Sequence, residues 1–396
     1  MPAGTLSLGS RVGTPPTQRE PGSRRKDQSV ATQTQSASRE ADDPELRDRI
    51  RTTVERSMRR GLVGLEYITI EDTDVGQTPK ETVLVSSSGA HKLYHYRAQT
   101  DEIYRVPLLF VTSLVSKPYI LDLTPGQSLI EYLVRQGYDV YLIDWGIPRA
   151  RDSHLRLEDY ALDFLPRCVD TVLERSGEDE VTIAGYCLGG TLALCYAAAH
   201  PEAPIKNLAC ITTPVNFHGM GLFSRWTDRR YFDVDRIVDT LGNVPGELLL
   251  SAFDGLRPAG RMTSTLQAWD RLQESEYVRT FLLFDRWAAD QIPFAGEAFR
   301  QLTKELMWDN KLLDGTLELD GRPIDIRGLD MPVFHAMAEH DHIVPYEAAR
   351  HLTGMLASED KEEVVLRGGH VSLVAGGNAL YRLWPKLDQW LSTRSV

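Results

Sequence analysis

The sequence lacks the features that mark secreted, membrane-spanning and nucleic-acid-binding proteins. It contains only 4 cysteines in 396 residues, and none of them forms a C-x-x-C pair, so it has no disulfide framework. No secretory apolar segment follows Met1, and no apolar run approaches the length of a bilayer span. The formal charge of -12 argues against nucleic acid as a partner, because binding to phosphates requires a basic surface. We therefore predict a cytoplasmic protein with no transmembrane segment.

The N-terminal part of the chain also lacks aromatic residues, the first of which is Tyr67. Residues 1–45 are rich in Ser, Thr, Gln, Pro and Arg, and they are predicted to be a disordered extension because this composition cannot form a core. Residues 46–64 are predicted to contain a short amphipathic helix. Its apolar positions are Leu46, Ile50, Val54 and Met58. Two interpretations fit this pattern equally well. The helix packs against the outside of the domain, or it is a docking surface for a partner or an apolar particle.

From Glu81 onward, short β-branched runs alternate with helical patterns, which is typical of a mostly parallel sheet with helices on its faces. The first two strands are predicted to form an antiparallel pair. A capping box at Ser128 and Glu131 predicts the start of a helix that ends before Gly137. Two further helices are predicted over 157–174 and from the residue after Cys187 to about His200. The predicted strands are 82–85, 93–96, 106–111, 140–143, 181–184, 208–212, 333–337 and 364–366.

The alternation of strands and helices stops after Pro214. Residues 215–325 contain no strand pattern and many aromatic residues, which together predict a helical cap inserted between two parts of an α/β core, 65–214 and 326–396. Apolar walls of such a cap would favour a lipid-like substrate or product. The aromatic residues include Phe217, Phe223, Trp226, Tyr231, Phe232, Trp269, Phe281, Phe284, Trp287, Phe294 and Trp308.

Residues 181–190 predict a nucleophile elbow, in which a buried strand turns sharply into a helix. Gly185 and Gly189 flank Cys187 and leave room for the turn. A thiolate attacks and leaves more readily than an alkoxide, so Cys187 predicts acyl transfer through a thioester. The alternative, that Cys187 is only a small buried apolar residue, leaves both glycines unexplained. The remaining cysteines are predicted to be small buried apolar residues of this kind. They are Cys168, Cys195 and Cys210.

Two residues follow predicted strands where this fold would place an acid and a base. Asp341 follows strand 333–337 and His370 follows strand 364–366, and the order nucleophile, acid, histidine is that of α/β-hydrolases. Glu339 is an alternative acid, but the loop after the strand presents Asp341 better. A metal site is disfavoured because no spaced set of ligands accompanies the nearby histidines, which are His335, His340 and His342.

These stretches resemble polyhydroxyalkanoate synthases, most closely the short class III type that works with a second subunit, with class IV as the near neighbour. The resemblance covers roughly residues 65 to 392. The motifs that carry it are GYCLGG at 185–190, KPYILDL at 117–123, DWGIP at 144–148, AGEAFR at 295–300, NKL at 310–312, EHDHIVP at 339–345 and GGH at 368–370.

The resemblance implies an α/β-hydrolase fold and a synthase that polymerises (R)-3-hydroxyacyl-CoA, with a short chain such as 3-hydroxybutyryl, into polyester. It implies that Cys187 holds the growing chain, that His370 activates Cys187, and that Asp341 acts on the hydroxyl of the substrate. The backbone amides of Leu188 and Val115 are the implied oxyanion-hole donors. No metal and no cofactor are implied, since coenzyme A is part of the substrate and a product.

The resemblance also implies partners, namely a homodimer, a second synthase subunit (PhaE-like, or PhaR-like for class IV) and the surface of a polyester granule. Three other interpretations remain open, because fold does not fix function. The first is an esterase, thioesterase or polyester depolymerase with a cysteine nucleophile. The others are a non-catalytic granule-associated protein and a degenerate synthase that binds its partner without turnover. The intact order of Cys187, Asp341 and His370 argues against the granule-associated protein.

Overall fold

The computed structural model describes residues 75–85, 91–258 and 274–396, together with residues 48, 51–54, 266, 270 and 271. The chain divides into two units, residues 1–61 and 62–396. The predicted extension over 1–45 and most of the predicted helix over 46–64 lie outside the described residues. Of the latter segment, residues 51–54 are helical and exposed. No helix in the described part of the chain is long and apolar enough to cross a bilayer.

The larger unit is built on an eight-stranded sheet with the strand order β1-β2-β4-β3-β5-β6-β9-β10. The β1 and β2 strands are antiparallel, as predicted, and β2 is antiparallel to β4. All the remaining neighbours in this sheet are parallel. Its strands are β1 (Lys80–Val83), β2 (Lys92–Tyr96), β3 (Leu108–Val111), β4 (Val140–Asp144), β5 (Val181–Tyr186), β6 (Ile205–Ile211), β9 (Val333–Ala338) and β10 (Lys361–Leu366).

The central strands are apolar on both faces because helices cover both faces of the sheet. The strands β3, β5 and β9 are buried along their whole length. The core consists of two apolar clusters, and alternate residues of β3 pack in different clusters because successive side chains of a strand point to opposite faces of the sheet. Leu108 and Phe110 pack in one apolar cluster, whereas Leu109 and Val111 pack in the other. Cys187 contacts both clusters from its position at the end of β5.

Helices follow most of the parallel strands. The π-helical segments Asp159–Phe164, Leu302–Trp308 and Ala379–Leu383 adjoin α2, α8 and α12 respectively. The α-helices are α1 (Leu129–Arg135), α2 (Leu165–Ser176), α3 (Leu188–Ala199), α4 (Leu222–Trp226), α5 (Val234–Leu241), α6 (Gly246–Leu256), α7 (Ser275–Ala289), α8 (Gly296–Gln301), α9 (Lys311–Asp314), α10 (Tyr346–Ala349), α11 (Leu352–Met355) and α12 (Trp384–Ser392).

The capping box predicted at the start of α1 is only half formed. The Glu131 amide donates to the Ser128 hydroxyl at 2.9 Å, as a helix N-cap requires. The Glu131 carboxylate, however, accepts from the Gly126 amide at 2.7 Å instead of returning to the Ser128 amide. The carboxylate therefore stabilises the turn before the helix, and the helix begins where the sequence predicted.

The predicted absence of strands from residues 215–325 is wrong. A two-stranded antiparallel hairpin lies near the end of this segment, formed by β7 (Leu317–Leu319) and β8 (Arg322–Ile324). Its turn residues Asp320 and Gly321 have φ of 49° and 70°, which suits an Asp-Gly hairpin turn. The strands have three residues each, too short for an alternating pattern to stand out. Leu317, Leu319 and Ile324 are buried in the apolar cluster of the core.

Candidate active site

The predicted elbow is a sharp turn between β5 and α3, with Cys187 at its apex. Cys187 has φ 56° and ψ −129°, a conformation that is costly for a residue with a side chain. Its amide donates to the Ile211 carbonyl at 2.9 Å and its carbonyl accepts from the Gly190 amide at 3.0 Å. These two hydrogen bonds hold the turn against β6 and the first turn of α3. The strain is therefore maintained by the surrounding fold, as expected of a nucleophile elbow.

The glycines around Cys187 are required by close backbone contacts. A Cβ atom on Gly185 would overlap the Cα atom of Gly190, where the chain folds back on itself. A Cβ atom on Gly189 would overlap the Val111 carbonyl oxygen at the end of β3. These contacts allow α3 to start directly beside the sheet, so only glycine fits at either position.

The structure brings the predicted acid and base together. Oδ2 of Asp341 lies 2.7 Å from Nδ1 of His370, and both side chains are buried. The other oxygen of Asp341 accepts hydrogen bonds from the amides of Ile343 and Val344, each at 2.8 Å. The carboxylate is therefore held on both oxygens, and it fixes the orientation of the imidazole.

His370 begins a 3-10 helix directly after Gly368 and Gly369, the glycine pair singled out in the sequence. Gly368 has φ 146°, and a Cβ atom there would overlap the Ser372 hydroxyl. This glycine lets the chain leave β10 and turn His370 into the interior. The side chain of His370 then pairs with Asp341 and lines the same cavity as Cys187.

The charge environment of His370 favours its protonated form. Burial lowers the pKa of the imidazole, but the charges of Asp341 and Cys187 and its hydrogen bonds to both residues raise it, to about 10 overall. Imidazolium is thus stabilised between an acid and a thiol. A histidine in this setting can hold a proton taken from the thiol and later return it to a leaving group.

The rival acid and histidines lie outside this arrangement. Glu339, His340 and His342 are exposed, whereas Asp341 is buried. His335 lies inside the sheet on β9, and its two ring nitrogens have no hydrogen-bond partner within the part of the chain that the structure describes. Among the residues that the structure describes, no group of three metal-binding side chains comes together.

Two cavities meet at Cys187. The larger, of about 440 Å³, is also lined by His370 and by residues of α6 and α7. The smaller, of about 140 Å³, is lined almost wholly by apolar side chains from the segment 215–325 and the core. The predicted cap residues that line one or other cavity are Phe217, Phe223, Phe281, Phe284, Trp287 and Phe294. Trp226 and Tyr231 are instead exposed, and Trp269 lies outside the described residues.

Both residues predicted to supply oxyanion-hole amides lie beside Cys187. Leu188 is the first residue of α3, so its amide has no partner within the helix. Val115 lines both cavities with Cys187, and its carbonyl accepts from the Ile292 amide at 3.1 Å, which fixes the turn after β3. The two amides therefore belong to elements that converge on the elbow.

Two polar residues of the site were missed by the sequence analysis. The hydroxyls of Ser113 and Tyr186 are buried and have no hydrogen-bond partner among the described residues, and both residues line the larger cavity. Tyr186 directly precedes Cys187 in the sequence, so its position at the site could have been inferred. Its unpaired hydroxyl could not, because pairing depends on contacts with distant segments.

The other three cysteines are chemically unlike Cys187. All are free and buried, within the helices and the strand predicted for them. Burial raises the pKa of each thiol to about 12. These are Cys168, Cys195 and Cys210. Thiols of this kind are unreactive near neutral pH, because the thiolate is the nucleophile.

The α/β-hydrolase class of proteins is defined by a mostly parallel sheet, a nucleophile elbow, and an acid and a histidine that follow the elbow in that order along the chain. This chain has all three features, with Cys187 at the elbow and Asp341 and His370 as the buried pair.

Comparisons with known families agree. The α/β hydrolase fold family matches residues 107–376, and the N-terminal domain of poly-beta-hydroxybutyrate polymerase (PhaC) matches residues 69–133. Among solved structures, a soluble variant of monoglyceride lipase from Saccharomyces cerevisiae aligns with a TM-score of 0.51 at 15% identity. The alignment covers 83% of this chain and 100% of that one, and it supports the fold alone.

Closer relatives are poly(3-hydroxyalkanoate) polymerase subunits PhaC. That of Thiocystis violacea is 38% identical over 341 residues, covering 84% of this chain and 93% of the relative. That of Allochromatium vinosum is 36% identical over 344 residues, covering 86% and 95%. That of Haloferax mediterranei is 36% identical, and the match covers 83% of this chain and 66% of the relative. The chain belongs to the polyhydroxyalkanoate synthase family, and it is a polymerising acyltransferase.

Proposed function

We propose that the protein polymerises short (R)-3-hydroxyacyl groups, supplied as coenzyme A thioesters, through a thioester on Cys187. The observation that carries this proposal is the position of Cys187 at a strained elbow, in one cavity with His370, which is itself paired with the buried Asp341. A hydrolase needs space for one acyl group and a path for water. A polymerase needs space for a second acyl unit as well, and the presence of two cavities lined by Cys187 supports this.

Loading is the exchange of one thioester for another. His370 takes the proton of the Cys187 thiol, and the sulfur attacks the carbonyl carbon of the acyl-coenzyme A. The amides of Leu188 and Val115 would stabilise the oxyanion of the tetrahedral intermediate. The bond to the coenzyme A sulfur then breaks, and His370 returns the proton to the leaving thiolate. The acyl group remains on Cys187.

Elongation forms an ester bond and breaks a thioester bond. The 3-hydroxyl of one acyl unit loses its proton to a base while its oxygen attacks the thioester carbonyl, and the sulfur leaves. The resemblance assigned this base role to Asp341. Both oxygens of Asp341 are already hydrogen-bonded and its side chain is 1% exposed, which favours His370 as the base. We infer that Asp341 acts on the hydroxyl only through His370.

The walls of the cavities support transfer to an alcohol over hydrolysis. The smaller cavity is nearly free of polar surface, and Phe217, Met220 and Phe294 are among the buried residues that line it. An apolar cavity of about 140 Å³ suits a short acyl group and disfavours bound water. Exclusion of water is what a polyester synthase requires to keep its growing chain.

We further propose that the protein is cytoplasmic, forms a homodimer, acts with a second synthase subunit and contacts the surface of a polyester granule. The relatives from Thiocystis and Allochromatium are named as polymerase subunits, which supports a second component. Exposed apolar side chains on α4, α5 and α6 would suit an apolar surface. They are Leu222, Trp226, Leu241 and Leu248.

The proposal is tested by supplying the purified protein with 3-hydroxybutyryl-coenzyme A, with and without a candidate second subunit. We expect free thiol and insoluble polymer to appear together. The variant Cys195→Ala, which removes a buried thiol of α3, is the matched control and should still make polymer. Thiol release with soluble 3-hydroxybutyrate and no polymer would contradict the proposal and indicate a thioesterase.

A further inference from the structure

Tyr186 presents an unsatisfied hydroxyl group beside the nucleophile. Its side chain is 2% exposed, and its hydroxyl has no hydrogen-bond partner among the described residues. A buried hydroxyl loses its hydrogen bonds to water, so an unpaired one is kept only at a cost in stability. Such a group at a reaction site is explained if the substrate supplies the missing partner.

The position of Tyr186 restricts what that partner can be. Tyr186 ends β5 directly before Cys187, and its ring lies 5.1 Å from the imidazole of His370, centroid to centroid. Tyr186, Cys187, His370 and Val371 line the larger cavity together. Burial raises the pKa of the phenol well above its ordinary range, and the charges of Cys187 and Asp341 raise it further. The phenol is therefore neutral and can both donate and accept a hydrogen bond, and its residue shares the larger cavity with Cys187 and His370.

A 3-hydroxyacyl group bound to Cys187 carries two oxygens that need hydrogen-bond partners. The carbonyl oxygen is directed to the amides of Leu188 and Val115, and Leu188 lines only the smaller cavity. The 3-hydroxyl group, two carbons farther along the acyl chain, is then without a partner. Tyr186 lines only the larger cavity, on the same wall as His370. Ser113 also has a buried, unpaired hydroxyl, but it lines both cavities, whereas Tyr186 lines the larger one and its ring lies beside that of His370.

We propose that the Tyr186 hydroxyl hydrogen-bonds the 3-hydroxyl group of the acyl unit entering at Cys187, and so selects 3-hydroxyacyl over unsubstituted acyl thioesters. This inference rests on the proposed function and adds a specificity-determining residue to it. In elongation the same hydrogen bond would hold the 3-hydroxyl of the next acyl-coenzyme A near His370. His370 removes the proton of that hydroxyl while its oxygen attacks the thioester on Cys187 and the Cys187 sulfur leaves. Tyr186 thus contacts the substrate but does not itself accept the proton.

The test compares loading with two substrates that differ by one oxygen, 3-hydroxybutyryl-coenzyme A and butyryl-coenzyme A. With the enzyme in excess, thiol release in a single turnover reports acylation of Cys187 and does not require elongation. Tyr186→Phe removes the hydroxyl and keeps the ring. Tyr160→Phe is the matched control, because Tyr160 is also buried but lines neither cavity.

We expect the wild-type protein and Tyr160→Phe to prefer the 3-hydroxy substrate equally. In Tyr186→Phe this preference should fall about tenfold, the effect of losing one neutral hydrogen bond, while loading with butyryl-coenzyme A is unchanged. Equal slowing with both substrates would show that Tyr186 only positions His370, and it would overturn the inference. An unchanged preference would also overturn it. Failure of the wild-type protein to load either substrate would instead contradict the proposed function.

Discussion

Asp341 and His370 form a buried pair in which the carboxylate is held on both sides: Oδ2 lies 2.7 Å from Nδ1 of His370, and Oδ1 accepts two backbone amides. Asp341 is not among the residues that line either cavity at Cys187, so its oxygens are not placed to reach a substrate there. We infer that its effect on the reaction passes through the charge and orientation of the imidazole. Asp341 is therefore expected to position the imidazole of His370, and its replacement should change the pKa of that imidazole.

Replacing Asp341 with Asn should lower the pKa of His370. Burial, which lowers this pKa, remains in the variant, while the carboxylate charge that raises it is removed. Titration of the His370 ring protons by NMR should show a pKa below that of the wild-type protein, which is about 10. Polymerisation should fall by on the order of 10²–10⁴-fold, because the base is misoriented.

The raised pKa of His370 also determines how the free energy of unfolding changes with pH. A raised pKa of His370 in the folded state stabilises the protein fully below the unfolded value of about 6.5, and that contribution is lost as the pH rises through the folded value. The difference in unfolding free energy between the wild-type protein and Asp341→Asn should therefore shrink from pH 7 to pH 10. An NMR titration in which the pKa of His370 is the same in both proteins would refute this assignment.

Gly189 should not tolerate a side chain, because a Cβ atom there would overlap the Val111 carbonyl oxygen at the end of β3. Gly189→Ala is expected to lower the free energy of unfolding by about 2–4 kcal/mol, measured by chemical denaturation. Gly354→Ala on α11 is the control, since a Cβ atom there would meet no atom within 4 Å. Equal stability of the two variants would mean that the elbow does not approach β3 as described.

His335 should make the protein acid-sensitive. It is fully buried on β9, and its nearest acidic group is Glu363, 4.0 Å from Nδ1. Burial lowers the pKa of His335 to about 3, so between that value and about 6.5 the unfolded chain binds a proton that the folded protein does not. Stability is therefore lost as the pH falls below about 6.5.

His335→Leu should remove this loss, by up to about 1.4 kcal/mol per pH unit relative to the wild-type protein. Unfolding free energies measured from pH 7 to pH 4.5 provide the check. His342→Leu, at an exposed position, should keep the wild-type pH dependence. If His335→Leu and the wild-type protein lose stability in parallel, His335 is protonated in the folded state and the account of its environment is wrong.

The sequence was most informative where local constraints decide the structure. The predicted strand, the flanking glycines and the chain order pointed to Cys187, Asp341 and His370, because an elbow and the ends of parallel strands require particular residues at fixed positions. The structure pairs Asp341 with His370 and places His370 in one cavity with Cys187, while their catalytic roles stay predictions. The strand order of the sheet was not predictable, since β3 pairs with both β4 and β5 through long-range contacts. The β7–β8 hairpin was missed although its Asp320–Gly321 turn has a recognisable signal.

The central claim is that Cys187 carries the growing polyester. The most direct measurement is mass spectrometry of peptides from protein quenched in acid shortly after mixing with 3-hydroxybutyryl-coenzyme A. We expect the peptide containing Cys187 to gain mass in whole multiples of one hydroxybutyryl unit, and peptides containing Cys168, Cys195 and Cys210 to remain unmodified. Polymer formation with Cys187 unmodified, or continued polymer formation by Cys187→Ala, would contradict the account.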